Sequence, residues 1–241
     1  MLMGSLATPH AGAHAGIEFP NAKGVAIEPP EARALVGLLK TQKPLAYKAK
    51  DVLFHEGDAA DSVFLVASGM ICLYRFMPNG QRMIARFIFP HDIVGLSFDA
   101  DCHFTAACIE PTTVYRIARS SLNPLCAHSP VLQNDVVLTL KHELRTEQED
   151  HLPMMHLNAE ARVARLLRMV ARHTGADCRK GERIQLAMTR GDIADFLGLT
   201  IETVCRTFSR MKEEGLISAP TPDRIRIENV DALISLADGE E

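Results

Sequence analysis

Glu202 and Arg206 lie four residues apart, so a helix would place their side chains on one face. The same face would carry Cys205, Ser209 and Arg210. An arginine can donate two hydrogen bonds to the edge of guanine, and a glutamate can accept one from the amino group of cytosine. This spacing suits the reading of bases in a DNA major groove, although a solvated helical hairpin without a ligand would show the same pattern.

Two short helices joined by a tight turn would present this face. The segment from Met188 to Ile217 has apolar residues at helical spacing on both sides of a glycine. The apolar positions are Ile193, Ala194, Leu197, Leu199, Val204 and Phe208. Gly198 can adopt the positive φ that a sharp turn requires, and Thr200 can cap the second helix. The pattern predicts a helix-turn-helix.

The flanking segments extend this unit. Asn158 is predicted to cap a helix over residues 159–173, whose apolar face is bordered by arginines. After the second helix, residues 216–230 predict a β-hairpin with a proline-rich tip. Arg224 and Arg226 alternate with isoleucines and would therefore lie on its outer side. Together these segments predict a winged helix-turn-helix.

Short apolar runs separated by turn residues fill the stretch between about residues 44 and 121. The runs are 52–54, 63–66, 70–76, 83–89, 93–96 and 112–117. Asn79-Gly80 lies between two runs and predicts a hairpin, because both residues tolerate positive φ. Many short strands predict a compact antiparallel roll. A short amphipathic helix is predicted before it, from Glu31 to Lys40, and the aperiodic residues 1–30 predict a flexible arm.

Residues 131 to about 152 predict one long helix between the roll and the helix-turn-helix. Its apolar stripe, which Glu147 interrupts, consists of Val137, Leu140, Leu144 and His151. Spacings of three, four and seven suit a seam between two helices, so a dimer contact is one interpretation and packing on the chain's own roll is the other. Pro153 would end the regular helix because it removes a helical hydrogen bond.

Charge is distributed unevenly along the 241 residues. Residues 159–215 hold 11 basic and 8 acidic residues, whereas the whole chain has a net charge of −4. A mildly basic segment on an acidic body is compatible with local phosphate contacts. No apolar run approaches the roughly 18 residues of a membrane span, and no secretory signal is evident, so we expect a cytoplasmic protein without a membrane partner. The six cysteines form no C-x-x-C pair, which favours reduced thiols.

Two parts of the chain resemble the cyclic AMP receptor/fumarate–nitrate reduction regulator (CRP/FNR) superfamily of bacterial transcription factors. Residues 191–211, GDIADFLGLTIETVCRTFSRM, resemble its helix-turn-helix, and FHEGD, VFLVASGMICLYR and NGQRMIARFIFPHDIVG resemble its cyclic-nucleotide-binding β-roll. The resemblance extends from about residue 45 onward and implies an α+β fold. The parts expected are a flexible N-terminal arm (1–30), an antiparallel, jelly-roll-like β-roll (31–129), a dimerisation helix (130–156) and a winged helix-turn-helix domain (157–241).

The ligand sites of this superfamily are altered in the sequence. Members that bind a cyclic nucleotide carry Gly-Glu-Leu followed by Arg-Ser or Arg-Thr, but Leu96 stands at the glutamate position and Phe104 at the arginine position. A phosphate there would have no cation, so cyclic AMP is not expected to bind. Iron–sulfur members need four cysteines, yet none precedes Cys72, and Tyr115 stands at the position of the fourth ligand. The chain therefore resembles the FixK-type branch, and we expect neither a cofactor nor a metal.

The resemblance also implies roles for individual residues. Arg206 would donate to guanine and Glu202 would accept from cytosine. Ile201, where cyclic-AMP-type readers have an arginine, would contact a thymine methyl group, which implies a TTGA…TCAA-like palindrome. Cys205, where close relatives have serine, completes the base-reading set. Backbone phosphate contacts are predicted for Thr189, Arg190, Thr200, Thr203, Ser209 and Arg210. The partners implied are double-stranded DNA, a second copy of the chain and RNA polymerase, in activation of low-oxygen respiratory or nitrogen-fixation genes.

Three further hypotheses stand beside this interpretation. A haem or another small molecule in the roll would gate the same DNA-binding activity. An enzyme using a pair such as Cys102-His103 is disfavoured, because no oxyanion motif or orienting carboxylate is evident. Cys178, beside basic residues, and Cys205, on the DNA-facing helix, are candidates for redox control, because oxidation would place negative charge near phosphates.

Overall fold

The computed structural model describes residues 32–96, 100–151, 154, 156–175, 181 and 183–239, and only the backbone of Asp150 and His151. The predicted arm, Pro153 and Cys178 lie outside these residues. None of the described helices is long and apolar enough to cross a membrane.

Helix α1 (Arg33–Lys40) precedes the roll. The apolar side chains of one face are buried, which confirms the predicted amphipathic helix. Ala32, at the N-cap position, makes no side-chain capping hydrogen bond. Instead, the backbone N–H groups of Ala34 and Leu35 donate to Oδ2 of Asp135, at 2.8 and 3.0 Å. A residue about a hundred positions away in the sequence thus caps α1.

Eight strands within the described residues form the roll. They are β1 (Pro44–Tyr47), β2 (Val52–Phe54), β3 (Ser62–Ser68), β4 (Ile71–Phe76), β5 (Arg82–Ile88), β6 (Ile93–Val94), β7 (Thr105–Cys108) and β8 (Thr112–Ala118). They pair in two antiparallel sheets, of order β1-β8-β3-β6 and β2-β7-β4-β5, with an apolar core between them. The predicted antiparallel roll is confirmed, but β1 and β7 were not predicted.

The hairpin of β4 and β5 turns at the predicted Asn79-Gly80. Gly80 has a φ of 81°, and the Met77 N–H donates to the carbonyl of Gln81 at 2.9 Å. Strand β5 is one of the two edges of its sheet, so one of its long sides has no strand partner among the described residues. Its side chains Ile84 and Phe87 are buried in an apolar cluster that also contains residues of the C-terminal part.

Helices α2 (Arg119–Ala127) and α3 (Pro130–Thr146) follow the roll. The side chain of Ser129 caps α3, and a π-helical turn, Glu147–His151, continues the helix. One face of α3 packs on α1 and α2 and buries Asp135, the residue that caps α1. The long helix predicted from the apolar stripe is therefore present, with a π-helical end.

The C-terminal part is a winged helix-turn-helix, as predicted. Its elements are α4 (Ala159–His173), β9 (Arg183–Gln185), α5 (Arg190–Leu197), α6 (Ile201–Glu213), β10 (Ile217–Thr221), β11 (Arg224–Ile227) and α7 (Val230–Asp238). Helix α4 has the predicted bounds and the predicted Asn158 cap. Strand β9 extends the wing to three strands in the order β10-β11-β9. Neither β9 nor α7 was predicted.

One apolar cluster joins this C-terminal part to the roll. Within it, the ring of Phe87 in β5 lies 4.8 Å from that of Phe196 in α5. The ring of Phe89 stacks on that of His173 at the end of α4, with 4.1 Å between centroids. The winged helix-turn-helix therefore packs directly on β5, an edge strand of the roll.

Candidate DNA-binding site

Local hydrogen bonds fix where α5 and α6 begin. A capping box starts α5: the Asp192 N–H donates to Oγ1 of Thr189 at 3.1 Å, and the Thr189 N–H donates to Oδ2 of Asp192 at 2.9 Å. Gly198 follows α5 with a φ of 64°. The Thr203 N–H then donates to Oγ1 of Thr200 at 3.1 Å, which caps α6. The sequence signals for the turn and the second cap are both confirmed.

The two faces of α6 differ in exposure. The buried face consists of Val204, Thr207, Phe208 and Met211. The exposed face carries Ile201, Glu202, Cys205, Arg206, Ser209 and Arg210. Ile201 is 51% exposed, so an apolar side chain lies in solvent beside charged ones. The structure thus brings the four predicted base-reading residues together on one open face, and their contact with DNA stays a prediction.

Glu202 and Arg206 have the charges that base reading needs. Hydrogen bonds from the Glu202 backbone N–H and from the Thr200 hydroxyl, together with the charge of Arg206, lower the pKa of Glu202. At neutral pH this carboxylate is therefore ionised and can only accept hydrogen bonds. Arg206 donates from Nη2 to Oγ1 of Thr203 at 3.4 Å. A guanidinium has five N–H donors, so this contact is compatible with donation to a base.

Arg190 binds other parts of the winged helix-turn-helix. Its guanidinium carbon lies 3.5 Å from the ring centroid of Phe208 in α6, and Nη2 donates to the carbonyl of Pro222 in the wing at 3.0 Å. Burial lowers the pKa of Arg190. This side chain therefore ties α5, α6 and the wing together through a cation–π contact and a hydrogen bond. The sequence predicted a phosphate contact for Arg190 but not its contacts with Phe208 and Pro222.

Arg210 holds α6 against α4. Its Nε lies 3.1 Å from Oε1 of Glu160, its Nη2 contacts the second carboxylate oxygen, and its Nε lies 3.4 Å from Glu214. The Glu160 side chain is only 10% exposed, so the ion pair is largely removed from water on that side. Sequence reasoning missed Glu160, because a glutamate in the first turn of a helix is ordinary and its partner lies 50 residues away.

The arginines of α4 also have intramolecular partners. Arg162 donates from Nε and Nη1 to the carbonyls of Leu157 and Leu197, both at 2.9 Å. Arg165 donates from Nη1 to the carbonyl of Ala237 at 3.0 Å. These two arginines of α4 thus secure neighbouring segments through hydrogen bonds to backbone carbonyls.

The predicted dimer stripe on α3 is open to solvent at two of its positions. Val137 is 47% and Leu144 is 59% exposed, so two large apolar side chains of the stripe, seven residues apart, face solvent. Leu140 and Glu147 are half-buried. The side chain of His151 lies outside the described residues.

The positions of the superfamily's ligand sites carry apolar or aromatic side chains. Phe104 packs against the core between the two sheets of the roll. Leu96 and Tyr115 pack against the cluster that α1 shares with β3 and β8. These side chains supply neither a cation for a phosphate nor a thiolate for iron. Within the described ranges, no group of three His, Cys, Asp or Glu residues could hold a metal ion.

The described thiols differ in exposure, and Cys126 is half-buried. Cys72, Cys102 and Cys108 are buried, and burial raises the pKa of Cys72 to about 11. Such a thiol stays protonated at neutral pH and is therefore unreactive. Cys205 is exposed on α6. Cys178, the second predicted redox residue, lies outside the described residues.

Comparison with known proteins supports both halves of this description. Residues 44–129 match the cyclic nucleotide-binding domain family, and residues 161–236 match the Crp-like helix-turn-helix domain family. The nitrogen fixation regulation protein FixK of Azorhizobium caulinodans is 33% identical over 213 residues, which cover 88% of this chain and 86% of that protein. An anaerobic regulatory protein of Pasteurella multocida is 31% identical over 211 residues, covering 86% and 76%.

The solved structure of FixK2 from Bradyrhizobium japonicum matches with a TM-score of 0.74 and 27% identity, and the match covers 80% of this chain and 96% of that one. The matched relatives are transcription regulators, which confirms the prediction that this chain is not an enzyme. The order of the two domains is also the predicted one. The chain therefore belongs to the CRP/FNR family of transcription regulators, in its FixK-type branch, and α5 and α6 are its DNA-binding helix-turn-helix.

Proposed function

We propose that this chain acts as a homodimer that binds a TTGA…TCAA-like palindrome and activates genes of low-oxygen respiration or nitrogen fixation. The observation that carries the proposal is the open face of α6, where Arg206 and an ionised Glu202 lie one helical turn apart. The physiological setting is taken from relatives named as anaerobic and nitrogen-fixation regulators. Such a regulator works in the cytoplasm, where DNA and RNA polymerase are its partners.

Each residue of the base-reading set has a distinct task in this proposal. Arg206 donates to guanine, and Glu202 accepts from the amino group of cytosine. Ile201 contacts a thymine methyl group with its exposed side chain. Cys205 lies between them and makes a weaker contact with the neighbouring base. All four belong to the first two turns of α6, the part that a recognition helix inserts into the major groove.

The backbone contacts divide into two groups. Thr189, Thr200, Thr203 and Ser209 carry hydroxyl groups that bind phosphate oxygens directly. Arg190 and Arg210 already bind Phe208 and Glu160, so we assign them mainly the support of α6 and a positive potential near the DNA backbone. These contacts give affinity and orientation, whereas base contacts give sequence preference.

Dimerisation through the stripe Val137, Leu140 and Leu144 explains why apolar side chains face solvent on α3. A two-fold dimer would present its two α6 helices to successive major grooves, about 34 Å apart. The domain division that we propose is accordingly an arm (1–30), a β-roll (31–129), a dimer helix (130–156) and a DNA-binding domain (157–241).

The roll acts in this proposal as a scaffold without an effector. The side chains at the family's ligand positions pack into apolar clusters, which favours control through the amount of protein. Gating by haem or a small molecule is the competing hypothesis. An absorbance spectrum and a mass spectrum of the protein purified under native conditions test it, and a haem band or a bound mass that alters DNA affinity would replace the scaffold assignment.

Selection of bound duplexes from a random pool tests the proposal as a whole. The expected product is a palindrome with TTGA half-sites at one fixed spacing. A single half-site, a direct repeat or a guanine-free consensus would contradict it. Transcription from a promoter that carries the selected site, with purified RNA polymerase, then tests activation.

A further inference from the structure

Strand β5 carries two arginines whose ion pairs lead to different helices. Arg82 begins the strand, and Arg86 lies four residues later. Arg82 contacts α5 of the helix-turn-helix, and Arg86 contacts α3, the proposed dimer helix. Strand β5 therefore contacts both α3, which would form the dimer interface, and α5, which packs against the recognition helix α6.

The contact of Arg82 involves two carboxylates. Its Nε donates to Oδ2 of Asp195 at 2.7 Å, and its Nη2 donates to Oδ1 of Asp192. The Arg82 side chain is 31% exposed and lies over the ring of Tyr74 at 5.5 Å. Asp192 is also part of the capping box of α5, so Arg82 binds this helix at its first turn. Two bonds from one rigid guanidinium restrict rotation as well as distance.

The contact of Arg86 is longer but more buried. Its Nη1 lies 3.8 Å from Oε1 of Glu143, and its Nε lies 4.0 Å from Oε1 of Glu147. The side chains of Arg86 and Glu143 are 14% and 12% exposed, so solvent screens this pair weakly. Glu147 begins the π-helical turn at the end of α3. The charge of Arg86 is thus held at the segment that leads to the DNA-binding part.

An apolar contact also joins β5 to α5. Phe87 and Phe196 pack at 4.8 Å between ring centroids and hold β5 and α5 together. Apolar packing is non-directional, so the shared apolar cluster restricts the angle of α5 on the roll less than the paired hydrogen bonds of Arg82 do. The predicted base-reading residues of α6 remain exposed in this arrangement. The docking is therefore compatible with DNA binding and does not block it.

We propose that Arg82 is a positioning residue that sets the half-site spacing this protein accepts. By fixing the angle of α5 on β5, while Arg86 fixes β5 on α3, it sets the distance and orientation between the two α6 helices of a dimer. Loss of Arg82 releases α5 to pivot and leaves Asp192 and Asp195 without their cation. A recognition helix that is free to pivot still binds its own half-site. When both half-sites are bound at once, the helix loses more orientational entropy, so the affinity for the palindrome falls. The inference rests on the proposed homodimer and palindrome.

The test compares Arg82→Met with Arg75→Met. Arg75 lies in the partner strand β4 and pairs with the exposed Glu56 of the roll at 3.3 Å, so it is a matched arginine without a contact to α5. Dissociation constants are measured for the selected palindrome, for the same half-sites moved apart or together by one base pair, and for a single half-site. Thermal unfolding of each variant is followed in parallel.

Arg82→Met is expected to bind the palindrome roughly tenfold more weakly and the single half-site equally well, with a smaller difference between the spacings. Arg75→Met is expected to match the wild type, and Arg82→Lys to recover part of the loss. Asp195→Asn, which leaves the capping box intact, should act in the same direction with a smaller effect.

Two results would overturn the inference. One is an unchanged spacing preference in Arg82→Met. The other is an equal loss on palindrome and half-site together with a lower melting temperature, which would show a structural role alone. A wild-type protein that prefers no spacing would instead contradict the proposed function and remove the basis of the inference.

Discussion

Arg206 and Arg210 lie about one turn apart on α6, yet their guanidinium groups have different partners. Arg210 pairs with the nearly buried Glu160, whereas Arg206 makes a long hydrogen bond to the hydroxyl of Thr203. An arginine in solvent keeps donors for a ligand, and one that neutralises a buried carboxylate supports the fold. The two residues should therefore have separable effects on specificity and stability.

Replacing each by alanine tests this separation. Arg206→Ala is expected to lose roughly 1–3 kcal/mol of discrimination at the guanine, with the free energy of unfolding changed by less than about 0.5 kcal/mol. Arg210→Ala leaves the Glu160 carboxylate without its partner, so its free energy of unfolding should fall by about 1–3 kcal/mol. Titration of guanine-substituted duplexes and denaturant unfolding measure the two effects. A fully specific Arg206→Ala or a fully stable Arg210→Ala would show the roles to be misassigned.

Redox control of DNA binding through Cys205 is a hypothesis that substitution can test. It is exposed among the base-reading residues, and its oxidation to a sulfinate would add negative charge next to phosphates. Peroxide is therefore expected to weaken DNA binding by the wild type and to affect Cys205→Ser less. Cys178→Ser is the parallel variant, and DNA affinity after graded peroxide treatment is the measurement. Equal sensitivity of both variants and the wild type would rule out either thiol as the sensor.

At the scale of elements, α1 depends on α3 for its N-terminal cap. Asp135 is buried and accepts two backbone N–H groups of α1. Asp135→Ala would leave both donors without this acceptor, so the free energy of unfolding should fall by about 1–3 kcal/mol. Asp135→Asn keeps an acceptor oxygen and should recover part of the loss. Denaturant unfolding of both variants measures the difference, and equal stability of Asp135→Ala and the wild type would contradict the capping role.

The face of α3 that carries Val137 and Leu144 should control dimerisation. Leu144→Glu puts two charges at a seam between paired helices, so the variant is expected to be mainly monomeric at concentrations where the wild type is dimeric. Val131, 61% exposed on a different face of α3, provides the matched control Val131→Glu. Sedimentation equilibrium measures the molar mass. A dimeric Leu144→Glu, or a monomeric wild type, would exclude this seam.

At the scale of the whole molecule, acid should loosen the contact between roll and DNA-binding domain. Burial opposes ionisation of Asp192, but hydrogen bonds from Thr189 and the charge of Arg82 outweigh it and lower the pKa of Asp192. A carboxyl with a lowered folded pKa contributes stability that is fully present above its ordinary pKa, about 3.9, and is lost as the pH falls through the folded value. The contribution of Asp192 to the free energy of unfolding should therefore decline below about pH 4.

Arg82→Met should show a shallower acid decline than the wild type, because its Asp192 would titrate nearer the ordinary value. Denaturant unfolding at a series of pH values measures both slopes. Arg75→Met serves again as the control and should follow the wild type. Equal slopes for Arg82→Met and the wild type would show that this ion pair does not contribute to acid sensitivity.

Sequence patterns were sufficient where the signal is local. The bounds of α4 follow from the Asn158 cap and a regular apolar face, and the open face of α6 follows from helical periodicity. Strand β9 has only three residues and is held by its pairing with β11. The local sequence therefore contains too little periodicity to predict it. The bonds of Arg82 to α5 join residues 110 and 113 positions apart and depend on how two domains pack. The partners of Arg190 and Arg210 lie within the DNA-binding domain but up to 50 positions away, so they depend on how its helices and wing pack.

The shared core between roll and helix-turn-helix limits how this protein can evolve. Phe87 and Phe196 come from different domains, so a change of shape at one must be matched by a change at the other. A chimera that joined the DNA-binding part of one relative to the roll of another would combine unmatched side chains at this contact. A new operator preference is therefore acquired more easily by substitutions at the solvent-facing positions of α6 than by exchange of whole domains.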